Sequence, residues 1–263
     1  MDLSGQTVLV TGASRGIGRA LVERIAQEPD VTILASVRDT ASFVAPTGGP
    51  AKEIRPVEID LSSREAIDRG CDALGPQLDE IDVLVSNAGA FTAGLLETQD
   101  VDDIYQTIQV TLLGAIHLTR RILPGMVRRG HGKVVTNSSL VGYLHFPGVS
   151  TYSAAKSGLA GFAECLRREL AETDVTALHV ITGGIETDML GQAMADLEKH
   201  VSTAGWNQHT PEEWAEKVVK AIQSDADTLG PGGKAAIGKF ASHLPSFVLD
   251  TVASRSFSRE PSS

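Results

Sequence analysis

Cysteine is nearly absent: Cys71 and Cys165 are the two in 263 residues. Both fall inside stretches of helical patterning with no metal-ligand spacing around them. That excludes a disulfide framework and a cysteine-held metal, and reduced cysteines in the cytoplasm are expected. No apolar run is long enough to span a bilayer, which excludes integral membrane association. The N-terminus, Met1-Asp2-Leu3-Ser4-Gly5, lacks the basic and apolar regions of a secretory signal and leads straight into a strand. Basic residues are in deficit, 23 against 33 acidic for a formal charge of -10, and they are scattered along the chain. Nucleic acid is thereby excluded as a partner. Internal repeats and low-complexity tracts are missing as well, and the length suits one large α/β domain.

What is present begins with an apolar run, Thr7–Thr11, then Gly12-Ala13-Ser14-Arg15-Gly16-Ile17-Gly18, then a helical pattern through Ala20, Leu21 and Ile25. Glycines let a backbone turn sharply and approach a pyrophosphate, while the following helix offers unpaired N–H groups and the positive end of its dipole. A second strand spans Val31–Ser36 and delivers Val37-Arg38-Asp39 to the position where such folds meet an adenosine ribose. Residues 40–53, with Pro46, Gly48, Gly49 and Pro50, read as a loop. A third strand, Ile54–Ile59, ends at Asp60-Leu61, and Ser62 or Ser63 caps the helix that follows. A fourth, Ile81–Val85, runs into Ser86-Asn87-Ala88-Gly89, where small residues allow a cofactor to lie against the strand end.

An amphipathic helix carries Ile104, Ile108, Leu112, Ala115, Ile116 and Ile122 and is expected to end at Pro124 and Gly125. Strand five, Lys133–Ser138, delivers Ser139 to its carboxyl end; Tyr152 opens the next helix, and Val175–Ile181 forms a sixth strand. Six short apolar runs alternating with helices predict a parallel sheet covered on both faces. The expected domain spans residues 1–257, with a substrate-lobe segment at 187–210, a helical extension at 239–257 and a disordered tail at 258–263.

Tyr152 and Lys156 stand four residues apart and so share one face of a helix. Free tyrosine titrates near ~10, and proton transfer near neutrality asks for a shift of roughly 3 units, about 4 kcal/mol, which a nearby positive charge can supply. Together with T-G-A-S-R-G-I-G from Thr11 to Gly18, N-A-G from Asn87 to Gly89, and Ser139, the stretch Tyr152-Ser153-Ala154-Ala155-Lys156 resembles the short-chain dehydrogenase/reductase family over roughly residues 5 to 190.

That resemblance implies a Rossmann-type doubly wound parallel sheet, three-layer α/β/α, with a nicotinamide cofactor. It implies a catalytic set of Ser139, Tyr152 and Lys156, with Thr111 standing where the family has an asparagine that holds a water linking the lysine to solvent. Cofactor contacts are implied at Gly12, Ser14, Arg15, Gly16, Ile17, Gly18, Arg38, Asp60, Leu61, Asn87, Ala88, Gly89, Tyr152, Lys156, Ile185 and Thr187. Two departures stand out. If the asparagine's main-chain carbonyl binds the water, Thr111 can substitute; if its side chain fixes the helix kink, the relay is weakened. Thr182-Gly183 replaces the family's Pro-Gly, and the added backbone freedom is expected to loosen the segment over the nicotinamide.

The expected reaction is hydride transfer between the nicotinamide and a carbonyl or secondary alcohol. Ser139 bonds the carbonyl oxygen, Tyr152 carries the proton, and Lys156 holds the ribose and depresses the tyrosine pKa. Apolar walls from Leu140, Val141, Tyr143, Leu144, Phe146, the Phe91–Leu95 loop and the segment 188–208 predict a hydrophobic small-molecule substrate. His145 reads as a solvent-facing loop residue, and Trp206 and Trp214 as packing. Arg15 and Arg38 form a guanidinium clamp for a 2′-phosphate, which favours NADP(H); Asp39 could instead take the ribose hydroxyls of NAD(H).

Thr210-Pro211-Glu212-Glu213 opens a capped helix, and the chain is then expected to continue into an apolar stripe, Phe240 to Val252, where tetrameric relatives place a seventh strand. The stripe could cap the pocket, bury in a subunit contact or rest on a membrane surface. A homodimer through Ile104–Leu123 and Tyr152–Leu170 is expected. The rival reading is a catalytically idle dinucleotide-binding redox sensor or scaffold, favoured by Thr111; an epimerase or dehydratase fits less well, because no separate sugar-binding lobe is visible.

Overall fold

A computed structural model of the chain describes residues 1–185 and 208–230. Strands β1 (Thr7–Thr11), β2 (Thr32–Val37), β3 (Glu53–Glu58), β4 (Val83–Ser86), β5 (Gly132–Ser139) and β6 (Val175–Thr182) alternate with helices α1 (Gly16–Ile25), α2 (Arg64–Leu74), α3 (Val101–Ile108), α4 (Gly114–Arg129) and α5 (Ser150–Glu169). Two short strands, β7 (Gly184–Ile185) and β8 (Gln208–His209), pair with each other; α6 (Pro211–Gln223) and β9 (Thr228–Leu229) follow. The main sheet is parallel, in the order β3-β2-β1-β4-β5-β6-β9. Its order reverses at β1, so the turns after β1 and β4 open side by side, the place where such sheets bind ligands.

Strand alternation divides the core. Val8, Val10, Ile33 and Val83 face Leu21 and Ile25 of α1 and Trp214, Val218 and Ile222 of α6. Leu9, Leu34, Leu84 and Val134 face Ile67 of α2, Leu118 and Ile122 of α4 and Leu166 of α5. Both faces are thus covered by helices, and the central strands read as unbroken apolar runs for that reason.

Two sequence expectations change. Pro124 and Gly125 do not end the middle helix: α4 runs through both to Arg129 and stops at Gly130, whose φ of 62° is left-handed. A proline withholds only its own N–H and crowds one turn, a cost the packing absorbs. At Gly125 a Cβ would lie 2.9 Å from Asp79 Cα, so glycine is there for close contact. The expectation of no seventh strand fails too, since β9 pairs with β6 over two residues, too few to show a period. Of the two serines expected to cap α2, Ser63 does so, accepting from Ala66 N, while Ser62 bonds Asp60. The capped start at Thr210 is present as a reciprocal pair with Glu213. The stripe from Phe240 to Val252, the tail and most of the substrate-lobe segment lie outside the described residues.

Candidate active site

The glycine turn is built by exclusion of side chains. Gly12 and Gly16 hold φ of 67° and 53°, and a Cβ on Gly18 would lie 2.1 Å from Gly12 O. Helix α1 starts at Gly16 with no side-chain cap on its first N–H groups. Such a cradle fits a pyrophosphate. Ala13 N bonds Ser36 O at 3.2 Å, which sets the turn beside the end of β2. Ser14, Arg15 and Arg38 are exposed there, and neither arginine has an ion pair among the described residues. The exposed Asp39 carboxylate accepts from Ala41 N at 2.9 Å through Oδ1.

On the other side of the switch point, Thr11 Oγ1 accepts from the N–H groups of Asn87 and Ala88, each at 2.9 Å. Gly89 passes close to Thr111, where a Cβ would lie 3.4 Å from the hydroxyl. Asp60 is held by Ser62, N–H and hydroxyl both donating, and the carbonyl of buried Leu61 accepts from Gln109 Nε2 at 3.1 Å.

Helix α5 carries the reactive pair. Lys156, 4% exposed, donates from Nζ to Asn137 O at 2.8 Å, and Nζ lies 5.7 Å from the centre of the Tyr152 ring. Phe91 packs on Tyr152 with ring centres 4.5 Å apart. Its loop is tied down by Gly94 N to Gly148 O at 2.8 Å and by Thr151 Oγ1 to Gln99 at 2.7 Å. Ser139 ends β5, and the turn after it presses on α5: Ser157 Oγ donates to Gly142 O at 3.1 Å, and a Cβ on Gly142 would lie 2.8 Å from Lys156 O. Ser139, Tyr152 and Lys156 are therefore mounted on two elements locked together at the carboxyl end of the sheet.

The electrostatics differ from the expectation. Burial pushes the Tyr152 phenol up, and it lowers the Lys156 ammonium to about 8. In the chain alone desolvation is the cause of both shifts, acting on a half-buried phenol and a buried ammonium.

Thr111 sits in a π-turn, Gln109–Leu113, that joins α3 to α4. Its hydroxyl donates to Ala90 O and accepts from Ala90 N, both at 3.0 Å, so the side chain ties the π-turn to the loop that follows β4. The Thr182 hydroxyl donates to Asn137 Oδ1 and accepts from Trp214 Nε1 at 3.1 Å, two ties where a proline has a ring, while the segment beyond Ile185 lies outside the described residues. Ile185 is buried at the end of β7; Thr187 and Trp206 lie outside the described residues. His145 is exposed. Sequence reading missed Asn137, whose signal was a polar residue two before Ser139 and hence on the same strand face.

A model described as short chain dehydrogenase matches residues 6–198. The chain belongs to the short-chain dehydrogenase family. The 3-oxoacyl-acyl-carrier-protein reductase FabG of Escherichia coli is 33% identical over 201 residues, 76% of this chain and 81% of that protein. The corresponding reductase of Aquifex aeolicus is 35% identical over 202 residues, 76% of this chain and 82% of that one. The ketoacyl reductase HetN of a Nostoc species is 33% identical over 230 residues, 84% of this chain and 77% of its own length. Among solved structures, a short chain dehydrogenase from Burkholderia cenocepacia in complex with NADP superposes with a TM-score of 0.80 at 24% identity, covering 96% and 99% of the two chains. That likeness establishes the short-chain dehydrogenase fold for residues well beyond the glycine turn.

Proposed function

We propose that the chain is an NADP(H)-dependent oxidoreductase that interconverts a ketone and a secondary alcohol on a mainly hydrophobic small molecule. The observation that carries it is the mounting of Ser139, Tyr152 and Lys156 on locked elements beside a glycine cradle that has no room for a Cβ at Gly18 and turns with positive φ at Gly12 and Gly16. When bound, a nicotinamide dinucleotide supplies or accepts the hydride. Gly12, Gly16, Gly18 and the open end of α1 would hold its pyrophosphate, Asn87–Gly89 its middle, and Lys156 its nicotinamide ribose.

In the reductive direction the Ser139 hydroxyl donates to the substrate carbonyl, and Tyr152 gives its phenolic proton to that oxygen. Phe91, against the Tyr152 ring, excludes water. The 2′-phosphate is read by Arg15 and Arg38, the exposed guanidiniums at the β1 and β2 ends that have no ion pair among the described residues. The reductases of 3-oxoacyl groups among the relatives, and the apolar residues Phe91, Leu140, Val141 and Leu144, support a 3-oxo compound with a hydrocarbon chain. A homodimer through α3, α4 and α5 suits the exposed Val101, Tyr105, Leu113 and Val127 along that rod; a sedimentation mass of four chains at low concentration would contradict it.

The test is NADPH consumption across a panel of ketones and 3-oxo thioesters, with product analysis. Turnover of a hydrophobic ketone is expected; dinucleotide binding without consumption of any substrate would leave the idle binding protein as the better reading.

A further inference from the structure

Beneath the catalytic end of the sheet runs a row of buried polar side chains. Trp214 Nε1 on α6 donates to Thr182 Oγ1 at 3.1 Å, and Thr182 Oγ1 donates to Asn137 Oδ1. Asn137 Nδ2 then donates to Asn87 Oδ1 at 2.9 Å, and Asn87 Nδ2 to Thr11 O at 3.0 Å. The row crosses β6, β5, β4 and β1 in their spatial order. Trp214, Thr182 and Asn137 are 0%, 8% and 7% exposed, so water cannot easily replace a lost partner. Asn137 is the hinge between this row and the chemistry, because its main-chain carbonyl accepts the Lys156 ammonium at 2.8 Å.

We propose that Trp214, Thr182 and Asn137 are positioning residues of the hydride-transfer site, fixing the Asn137 peptide against Lys156 and the Asn87 amide against β1. The proposal rests on the functional reading above and extends it to residues in contact with neither substrate nor reacting atoms. Each link has a direction. The Thr182 hydroxyl both accepts and donates, so its loss orphans a buried indole N–H on one side and a buried amide oxygen on the other. The side-chain amide is then held by Asn87 alone, and the Asn137 peptide under Lys156 keeps only its place in the β5–β6 pairing, without the side-chain tie that fixes its tilt. Displacements of about 1 Å matter at reacting centres.

The decisive pair is Thr182→Val, which keeps the shape and removes the hydroxyl, and Thr182→Ser, which restores it. Trp214→Phe is a third variant that removes the N–H and keeps an aromatic ring. Lys156 is titrated in each full-length protein by competitive acetylation read by mass spectrometry, NADPH and NADH binding is measured by fluorescence, and KM and kcat are measured separately. Tyr152, facing Lys156 across 5.7 Å, is the titratable neighbour whose contribution stays constant through the series. Thr182→Val is expected to move the Lys156 titration downward, since the ammonium loses a well-placed acceptor, and to weaken dinucleotide binding about fivefold, the equivalent of one hydrogen bond. Thr182→Ser should return both to native values, and Trp214→Phe should move them in the same direction by less. A Thr182→Val protein that melts earlier yet keeps the native titration and native affinity would overturn the proposal. If the native chain bound neither dinucleotide, the functional reading would fall, while the lysine titration would still decide the positioning role.

Discussion

The two halves of the site are built on opposite plans. Around β1 and β2 the polar groups are open: α1 starts without a side-chain cap, and Arg15 and Arg38 stand exposed with no ion pair among the described residues. Around β5 and β6 they are closed, with Lys156, Asn137, Thr182 and Trp214 each bonded to another protein group before any ligand arrives. An open half can gain new charge-assisted bonds, which is what anion recognition needs. A closed half has its geometry set in advance, which is what proton and hydride transfer need.

The largest expected effect belongs to the closed half. Tyr152→Phe should lower turnover by roughly 10²–10⁴-fold with NADPH affinity nearly unchanged, measured by steady-state rates beside direct binding; near-native reduction of every accepted ketone would end the assignment. The open half should respond in selectivity instead. Arg15→Ala with Arg38→Ala should reduce the NADPH over NADH ratio of kcat/KM at least tenfold, each phosphate contact contributing ~1.5 to 3 kcal/mol. A native preference for NADH would erase the contrast between the halves.

Smaller is a pH effect from Lys156. Its folded pKa of about 8 lies below the ordinary 10.5, so the unfolded chain binds more protons between those values. Native stability gains from this group as pH rises from 8, whereas the raised Tyr152 works against stability above about 10. Denaturant melts from pH 8 to 9.5 should show the gain, on the order of 1 kcal/mol, and Lys156→Met should flatten it. Smallest of all is Asp39→Ala. With its carboxylate already accepting from Ala41 N, the dinucleotide ratio should change less than about twofold; a collapse of NADH use would show that Asp39 reads the ribose.

What the sequence made legible follows the same division. The glycine turn and the Tyr152–Lys156 pair are local spacings, so their geometry is written within one turn of chain. The Arg15 and Arg38 positions followed from strand ends. Asn137, Thr182 and Trp214 join across 45 and 32 residues, and each alone reads as an ordinary strand or core residue. Helix α4 ran past Pro124 because a local penalty was outweighed by packing that no local pattern displays. The depressed tyrosine was an argument about lysine and cofactor charge made without burial, and in the chain alone burial pushes the phenol the other way.

The Thr182–Asn137 link also bears on how such a chain can change over generations. Replacing either partner alone strands a buried polar group, whereas replacing both by apolar residues of similar shape removes donor and acceptor together and can be nearly neutral. Indole N–H and Asn87 would still need new partners, so the four positions form a unit of inheritance rather than four independent sites. A relative that carries an aliphatic residue at one of them is expected to have abandoned the row at the others.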